Sequence, residues 1–509
     1  MTAGLIQLVA YGAEDVYLTK NPQITFFKIV YRRHTNFTIE AIPQYFSTNP
    51  NFGVKSSCLL SKNGDLIHKI YVVIDLPQIF QFINDDGTED EITKMAWTRK
   101  IGYKIITTVE IEIGGQIIDK QYGEWLYILN ELTGPINNGM DKMIGNIKEM
   151  YYFSSRKDAY RLYIPLQFWF CRYAGMALPI VAMRYSDVKI NLELSKLEKC
   201  ITIGPTHCIH IVQDLVCYEK YEYMEQTVNG TTASGQFIYY DPLTKILYYR
   251  RIKNIFKSYS STNSIPTNEI LSNTYKIIGL KTSFVTNPQP NVNESIYTYN
   301  DNEISSLSVT QCFLLVDYIF LDNEERLKFS QIKHEYLIEQ IFVSDFFIIE
   351  GTNRTIRVNI GQLCKFMVFV GSQTYLLNTY NNDDYNYTDS YMIINNKYVG
   401  KNLINNATIL FNGLERISYR DAKYFNWIQN YQNFAYSSAE GINIYSFSIH
   451  PDTFQVSGAC NLSKIDNISL RLNMNHLINF SNTSTVRMYT STYNIFRIVY
   501  GVCGLVFSQ

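Results

Sequence analysis

Two stretches of this chain, 298 residues apart, repeat one design. Glu110-Ile111-Glu112-Ile113-Gly114-Gly115 and Thr408-Ile409-Leu410-Phe411-Asn412-Gly413 each read as an alternating strand that ends in a glycine turn. A Trp-bearing segment follows each, with Trp125 in the first and Trp427 in the second. Tens of residues further on, each is followed by a clean alternating strand, 188–194 and 468–472. Three matching features in the same order imply two copies of one β domain. The spacing is far too long for a solenoid repeat, which recurs every few tens of residues.

Period-two alternation runs through both copies. Ile70, Val72, Ile74 and Leu76 share one strand face. Ile105, Thr107, Val109, Ile111 and Ile113 share another, which assigns Thr108, Glu110 and Glu112 to water. Val188, Ile190, Leu192 and Leu194 alternate with polar residues, as do Ile468, Leu470 and Leu472. One dry face and one wet face is the pattern of antiparallel sheets packed as a sandwich.

Helical patterns are few and short. Trp125, Ile128, Leu129 and Leu132 fall at i, i+3, i+4 and i+7, and Gly134-Pro135 stops the run. Met143, Ile144, Ile147 and Met150 give a weaker set. Asp322 reads as an N-cap with Glu325 as its acidic partner, opening a helical segment from Glu324 toward Gln340. These segments do not alternate with strands, so a parallel α/β fold is excluded. The expected organisation is an arm over 1–24, a first β domain over 25–322 and a second over 323–509. The polar stretch of about 200–308 reads as a long loop insertion in the first copy. The Asn-rich 378–406 reads as a surface loop of the second.

Composition narrows the function. Lys plus Arg is 45 and Asp plus Glu is 46, a formal net charge of −1. That balance argues against a protein that condenses nucleic acid through charge. Aromatics make up 15% of residues, with 41 Tyr, and Tyr suits contact surfaces. The nine cysteines are scattered and odd in number, which fits a reducing compartment better than a disulfide framework. No apolar run reaches the roughly 18 residues that span a bilayer. The Leu5–Ala10 stretch has no basic residue before it, so it makes a poor secretion signal. The expectation is a cytosolic, non-spanning protein.

Catalytic signatures are missing: no phosphate-binding Gly-Lys-Ser/Thr loop, no dinucleotide glycine fingerprint and no Gly-x-Ser-x-Gly elbow. Two constellations carry metal-ligating residue types. Cys200, His207, Cys208, His210 and Cys217 are zinc-ligating types, but without paired Cys-x-x-Cys spacing they read better as buried thiols and strand histidines. His450-Pro451-Asp452 with His476 has the composition of an iron facial triad, yet Pro451 marks a strand end. The expectation is no catalytic residue, no cofactor and no metal. Alternatives of another class are a jelly-roll carbohydrate-binding protein and an iron oxygenase on the same fold.

One resemblance covers the whole chain. The opening Ala3-Gly4-Leu5-Ile6-Gln7-Leu8-Val9-Ala10-Tyr11-Gly12-Ala13-Glu14-Asp15-Val16-Tyr17, with Asn21-Pro22-Gln23-Ile24-Thr25-Phe26-Phe27-Lys28 and Tyr31-Arg32-Arg33-His34 after it, closely resembles the start of the major capsid proteins of nucleocytoplasmic large DNA viruses. Gly175-Met176-Ala177-Leu178-Pro179, Asp317-Tyr318-Ile319-Phe320-Leu321-Asp322, Glu324-Glu325-Arg326, Ser457-Gly458-Ala459-Cys460-Asn461 and Tyr493-Asn494-Ile495-Phe496-Arg497 continue it in the family's order. The departure is the 200–308 insertion, which many relatives lack.

The resemblance implies an all-β fold of two consecutive eight-stranded jelly rolls. It implies a homotrimer forming a pseudo-hexagonal capsomer that tiles an icosahedral shell. Its implied partners are neighbouring capsomers, minor capsid and penton proteins and an inner membrane layer, with no direct nucleic acid. The implied location is the virion, with assembly in host cytoplasm. Leu5, Ile6, Leu8, Val9, Tyr11 and Tyr17 would form an assembly arm packing at the capsomer base or on a neighbour. The alternative for that arm is an ordinary first strand. Arg326 with Glu324 or Glu325 would form intersubunit ion pairs, or else a solvated helix start. The insertion would be an outward tower. Some family members carry surface sugars, and of the Asn-x-Ser/Thr sites here Asn229, Asn293 and Asn386 lie in expected outer loops.

Overall fold

In the computed structural model every residue is described except 1–2, 11, 14, 30, 80–94, 135–138, 155, 206, 219–221, 242–244, 260–273, 291–294, 297–306, 345, 359–360, 378–382, 391–392, 395–396, 437, 477, 479–482 and 508–509. The first β domain comprises β1 (Phe37–Tyr45), β2 (Lys55–Leu59), β3 (Leu66–Leu76), β4 (Ile106–Ile113), β5 (Gln116–Tyr122), β6 (Tyr160–Pro165), β7 (Val188–Leu194) and β8 (Gln311–Leu321). They pair as two four-stranded antiparallel sheets, β1-β8-β3-β6 and β2-β7-β4-β5. The second comprises β9 (His334–Val343), β10 (Asn353–Val358), β11 (Leu363–Gln373), β12 (Ile404–Phe411), β13 (Leu414–Asp421), β14 (Asn443–Ser446), β15 (Ile468–Met474) and β16 (Ser484–Val499). Its sheets are β9-β16-β11-β14, with three short strands added off that path, and β10-β15-β12-β13. Adding eight to each label of the first pair of sheets reproduces the second pair. Two packed sheets in this order are a jelly roll, and the chain holds two in succession.

The repeat seen in the sequence sits at equivalent places. Gly114-Gly115 joins β4 to β5 and Asn412-Gly413 joins β12 to β13, both as two-residue loops. All four residues have positive φ (59°, 83°, 50° and 83°). Such turns match the right-handed twist of the strands they join, and Gly and Asn are the residues that tolerate the left-handed backbone. Trp125 follows β5 on α2 (Gly123–Thr133), and Trp427 follows β13 in the π-helical turn Tyr424–Ile428. Here the copies diverge, since Trp125 is buried and Trp427 is half exposed.

Three local expectations change. On β4 the alternation slips, because a register shift lies between Ile106 and Thr108. Thr107 faces out, whereas Thr108 and Glu110 are buried. Glu110 is held there by Lys55 at 2.8 Å and Lys120 at 2.9 Å, so its burial is charge-compensated. The segment after Asp322 is a shorter helix than expected. Asp322 does cap it, its Oδ1 accepting from Glu324 N (3.0 Å) and Glu325 N (3.1 Å), but the helix, α3, covers only Asn323–Gln331. From His334 the chain is strand β9, because ten residues there pair with β16, from His334 opposite Ile498 to Val343 opposite Tyr489. Tertiary pairing overrides the local helical signal. The insertion read as loop also carries strands. Within it His207–His210, Tyr223–Val228, Thr231–Asp241, Ile246–Lys253, Ile277–Gly279, Val285–Thr286 and Ser295–Ile296 form a seven-stranded sheet. That sheet buries its own cluster, including Ile209, Ile211, Met224, Leu247 and Tyr249. Bulges between Ser234 and Gly235 and between Phe237 and Tyr239 break the alternation that would have announced it.

On two strands of one sheet of the second roll, β11 and β16, almost every residue is buried on both faces. Along β11, Met367 and Phe369 point into the second roll's core, while Phe366, Val368 and Val370 join the cluster that continues from the first roll. On the neighbouring strand β16, Val486 and Met488 face inward and Tyr489, Phe496 and Ile498 face the first roll. The two rolls are therefore packed through an apolar layer. Ring pairs in that layer are Trp125 with Phe366 (6.1 Å between centroids), Trp125 with Tyr489 (5.7 Å) and Trp169 with Phe496 (5.7 Å). Aromatic pairs at this separation add to the burial term itself.

Candidate assembly surfaces

Around the apolar layer lie charges that single-sequence reading did not single out. Glu124, in the first turn of α2, pairs with Arg487 of β16 at 2.5 Å, and both side chains are 9% exposed. Glu124 also accepts hydrogen bonds from the hydroxyls of Tyr387 (2.7 Å) and Tyr489. Glu339 of β9 lies between Arg172 (2.8 Å) and Lys365 (2.5 Å). Burial raises its pKa, but the two cations win and hold the carboxyl below its ordinary value. Asp119 of β5 accepts from Ile341 N (3.2 Å) of β9 and from Gln121 Nε2 (3.0 Å). Among the described residues no cation pairs with it, and burial pushes its pKa up to about 7. Gln340 Nε2 donates to the Ile118 carbonyl, and Lys104 pairs with Asp384. A buried ion pair gains little over an apolar replacement but penalises any arrangement that separates the partners. The apolar layer thus supplies the stability, and the charges fix the register of one roll on the other. Polar residues at dry positions of β16, such as Arg487, were the one sequence signal for this.

The N-terminal arm is not a strand, which overturns that alternative. Ala3–Val9 forms a helix, α1, and Val16–Thr19 a second short one. Leu5, Ile6, Leu8 and Val9 are all exposed, Leu8 and Val9 most of all, so the apolar side chains described on α1 are not buried in either roll. Tyr17 lies in the second helix, and Tyr11 falls outside the described residues. Further apolar residues, Ile24, Phe26, Phe27, Ile29 and Tyr31, are also open to water, and sequence reading did not pick these out.

The remaining expectations fall as follows. Arg326, expected beside Glu324 or Glu325 across a subunit contact, has a partner within its own chain. It grips Asp65 of its own chain through Nε at 2.9 Å and Nη2 at 3.0 Å, tying α3 to the first roll. Asn229 is exposed at the tip of a two-residue Asn-Gly hairpin, with φ of 51°. Asn293 lies outside the described residues. Asn386 is a correction: its side chain is fully buried and makes three hydrogen bonds. Its Oδ1 accepts from Thr388 N (3.1 Å) and Thr388 Oγ1 (2.9 Å), and its Nδ2 donates to the Ser390 carbonyl (3.0 Å). The five residues of the zinc-type set do not converge. Cys200 belongs to the first roll's core, His207 and Cys208 to the insertion's sheet, and Cys217 is exposed. Among the described residues no group of three or more His, Cys, Asp or Glu could hold a metal ion.

Two jelly rolls of one strand order, packed on each other through an apolar layer, define a double jelly-roll class of protein. The comparisons specify the class. A family model described as the major capsid protein N-terminus matches residues 25–241, and one described as the large eukaryotic DNA virus major capsid protein matches residues 325–504. Probable capsid protein 4 of Acanthamoeba polyphaga mimivirus is 42% identical over 518 residues, covering 100% of both chains. The major capsid protein of Phaeocystis pouchetii virus is 31% identical, again over 100% of each. In fold, the chain matches the Faustovirus major capsid protein with a TM-score of 0.65 at 12% identity, over 96% of this chain and 94% of that one. It matches PBCV-1 VP54 with a TM-score of 0.62 at 23% identity, over 95% and 100%.

The chain belongs to the major capsid proteins of large eukaryotic DNA viruses. Its fold is the double jelly roll, its role is structural and its place is the virion capsid.

Proposed function

We propose that three copies of this chain associate into a pseudo-hexagonal capsomer and that such capsomers tile an icosahedral shell around a double-stranded DNA genome. The observation that carries this reading is the duplication: two rolls of the same strand order, joined through an apolar layer and buried ion pairs. Closing three such chains about a threefold axis places six similar sandwiches around it, which gives a near-sixfold outline from a threefold assembly. Jelly rolls suit this use because folding two sheets together leaves few open strand edges, and loops at one end can vary without changing the sides that meet. The folded insertion is the natural candidate for the outward end, and the arm for the inner one. Neighbouring capsomers, minor capsid and penton proteins and an inner membrane layer are the partners this reading calls for.

Light scattering on the purified chain tests it. The expected species has about three times the 59.2 kDa chain mass, and negative-stain images show hexagonal outlines. A monomer at tens of micromolar, or a particle without six lobes, would sink the proposal.

A further inference from the structure

The arm carries a second, more basic apolar stretch just before the first roll. Phe26 and Phe27 are 87% and 98% exposed, Ile29 and Tyr31 are similarly open, and Lys28, Arg32 and Arg33 lie among them. Burying one such aromatic side chain is favourable, and apolar side chains grouped among cations on an open surface mark a contact site. A groove of about 380 Å³ lies where the arm meets the roll, bordered by Thr35 and His334. Asp322, Glu324, Glu325 and Lys328 give it three carboxylates against one ammonium, and Phe329 and Ile332 give it an apolar side. Glu325 Oε2 is buried and has no hydrogen-bond partner among the described residues. A carboxylate oxygen left that way is costly until a cation or donor meets it.

The arm and the groove are complementary in charge and in apolar content, yet the described residues of 24–33 do not fill the groove. Thr35 sits at the groove's edge, and the described residues from 24 to 33 lie open to water. Residues 26–34 can span roughly 30 Å when extended, enough to carry Phe26 and Phe27 well away from their own roll.

We propose that residues 24–33 of one copy seat in this groove on a second copy. Phe26 or Phe27 packs on Phe329 and Ile332, and Arg32 or Arg33 meets Glu325. The inference rests on the reading of the chain as a self-associating subunit and names the contact that links the copies.

Photocrosslinking tests it. The full chain carrying p-benzoylphenylalanine in place of Phe27 is co-expressed with a tagged copy, illuminated, and mapped by peptide mass spectrometry. The expected product runs at two chain masses on a denaturing gel, with the crosslink between positions 322 and 334. The double reversal R32E/R33E lowers its yield by about tenfold, the effect of losing about 1.4 kcal/mol, and adding E324K/E325K restores it. Crosslinks confined to one chain, crosslinks on another surface, or a yield indifferent to the reversals would overturn the proposal. Light scattering of the same sample separates the two readings. Trimers without the groove crosslink remove only the arm contact, whereas monomers remove both.

Discussion

Glu124 and Arg487 are 363 residues apart in sequence and 2.5 Å apart in space, one on the first roll and one on the second. Neither charge has appreciable access to water, and two tyrosine hydroxyls complete the carboxylate's coordination. The pair turns a duplication into a single block.

Removing one partner leaves the other charge buried. Glu124→Ala is expected to destabilise the fold by about 3–5 kcal/mol, while E124Q/R487M recovers most of that loss, because an uncharged pair no longer needs compensation. Denaturant unfolding of the single and double variants measures it. Additive losses would show that the two side chains are not coupled.

Asp119 gives the roll-to-roll contact a pH dependence. Its folded pKa, pushed up to about 7 by burial, lies above the unfolded value. A raised carboxyl contributes stability that is fully present below the unfolded pKa and is lost as pH rises through the folded one. The groups around it are Glu339, which raises its pKa further, and beyond it Arg172 and Lys365, which neutralise Glu339. Between about pH 4 and pH 7 the protein should therefore lose stability from this group, and Asp119→Asn should flatten that part of the curve. Thermal unfolding across the range, compared for the two proteins, checks the sign. A D119N profile parallel to the parent's would refute it.

Of the Asn-x-Ser/Thr sites, Asn229 is exposed and Asn386 buried, so a glycan is expected at the first and not at the second. Asn386→Ala removes three buried hydrogen bonds and is expected to cost about 1–3 kcal/mol, with Asn229→Gln near neutral. Glycopeptide mapping of folded particles should find Asn386 unmodified. A sugar there would mean that the loop over 383–390 folds differently.

The arm and the repeat show how differently sequence speaks. The alternation on β7 and β15, the Gly114-Gly115 and Asn412-Gly413 turns, the Asp322 cap and the Trp125 helix were all legible, because each depends on neighbours a few residues away. The slip on β4, the end of α3 and the sheet within the insertion were not. A bulge moves side chains to the other face without changing composition, and strand β9 exists only because β16 lies beside it.

By itself, then, the sequence determined that a β domain occurs twice and where its turns fall, since these follow from short-range periodicity and backbone sterics. Only tertiary structure decided which charges were buried and with whom, that Asn386 is inside and Asn229 outside, and that the arm leaves its own roll. Those outcomes depend on desolvation and on contacts between residues hundreds of positions apart, which no local pattern encodes.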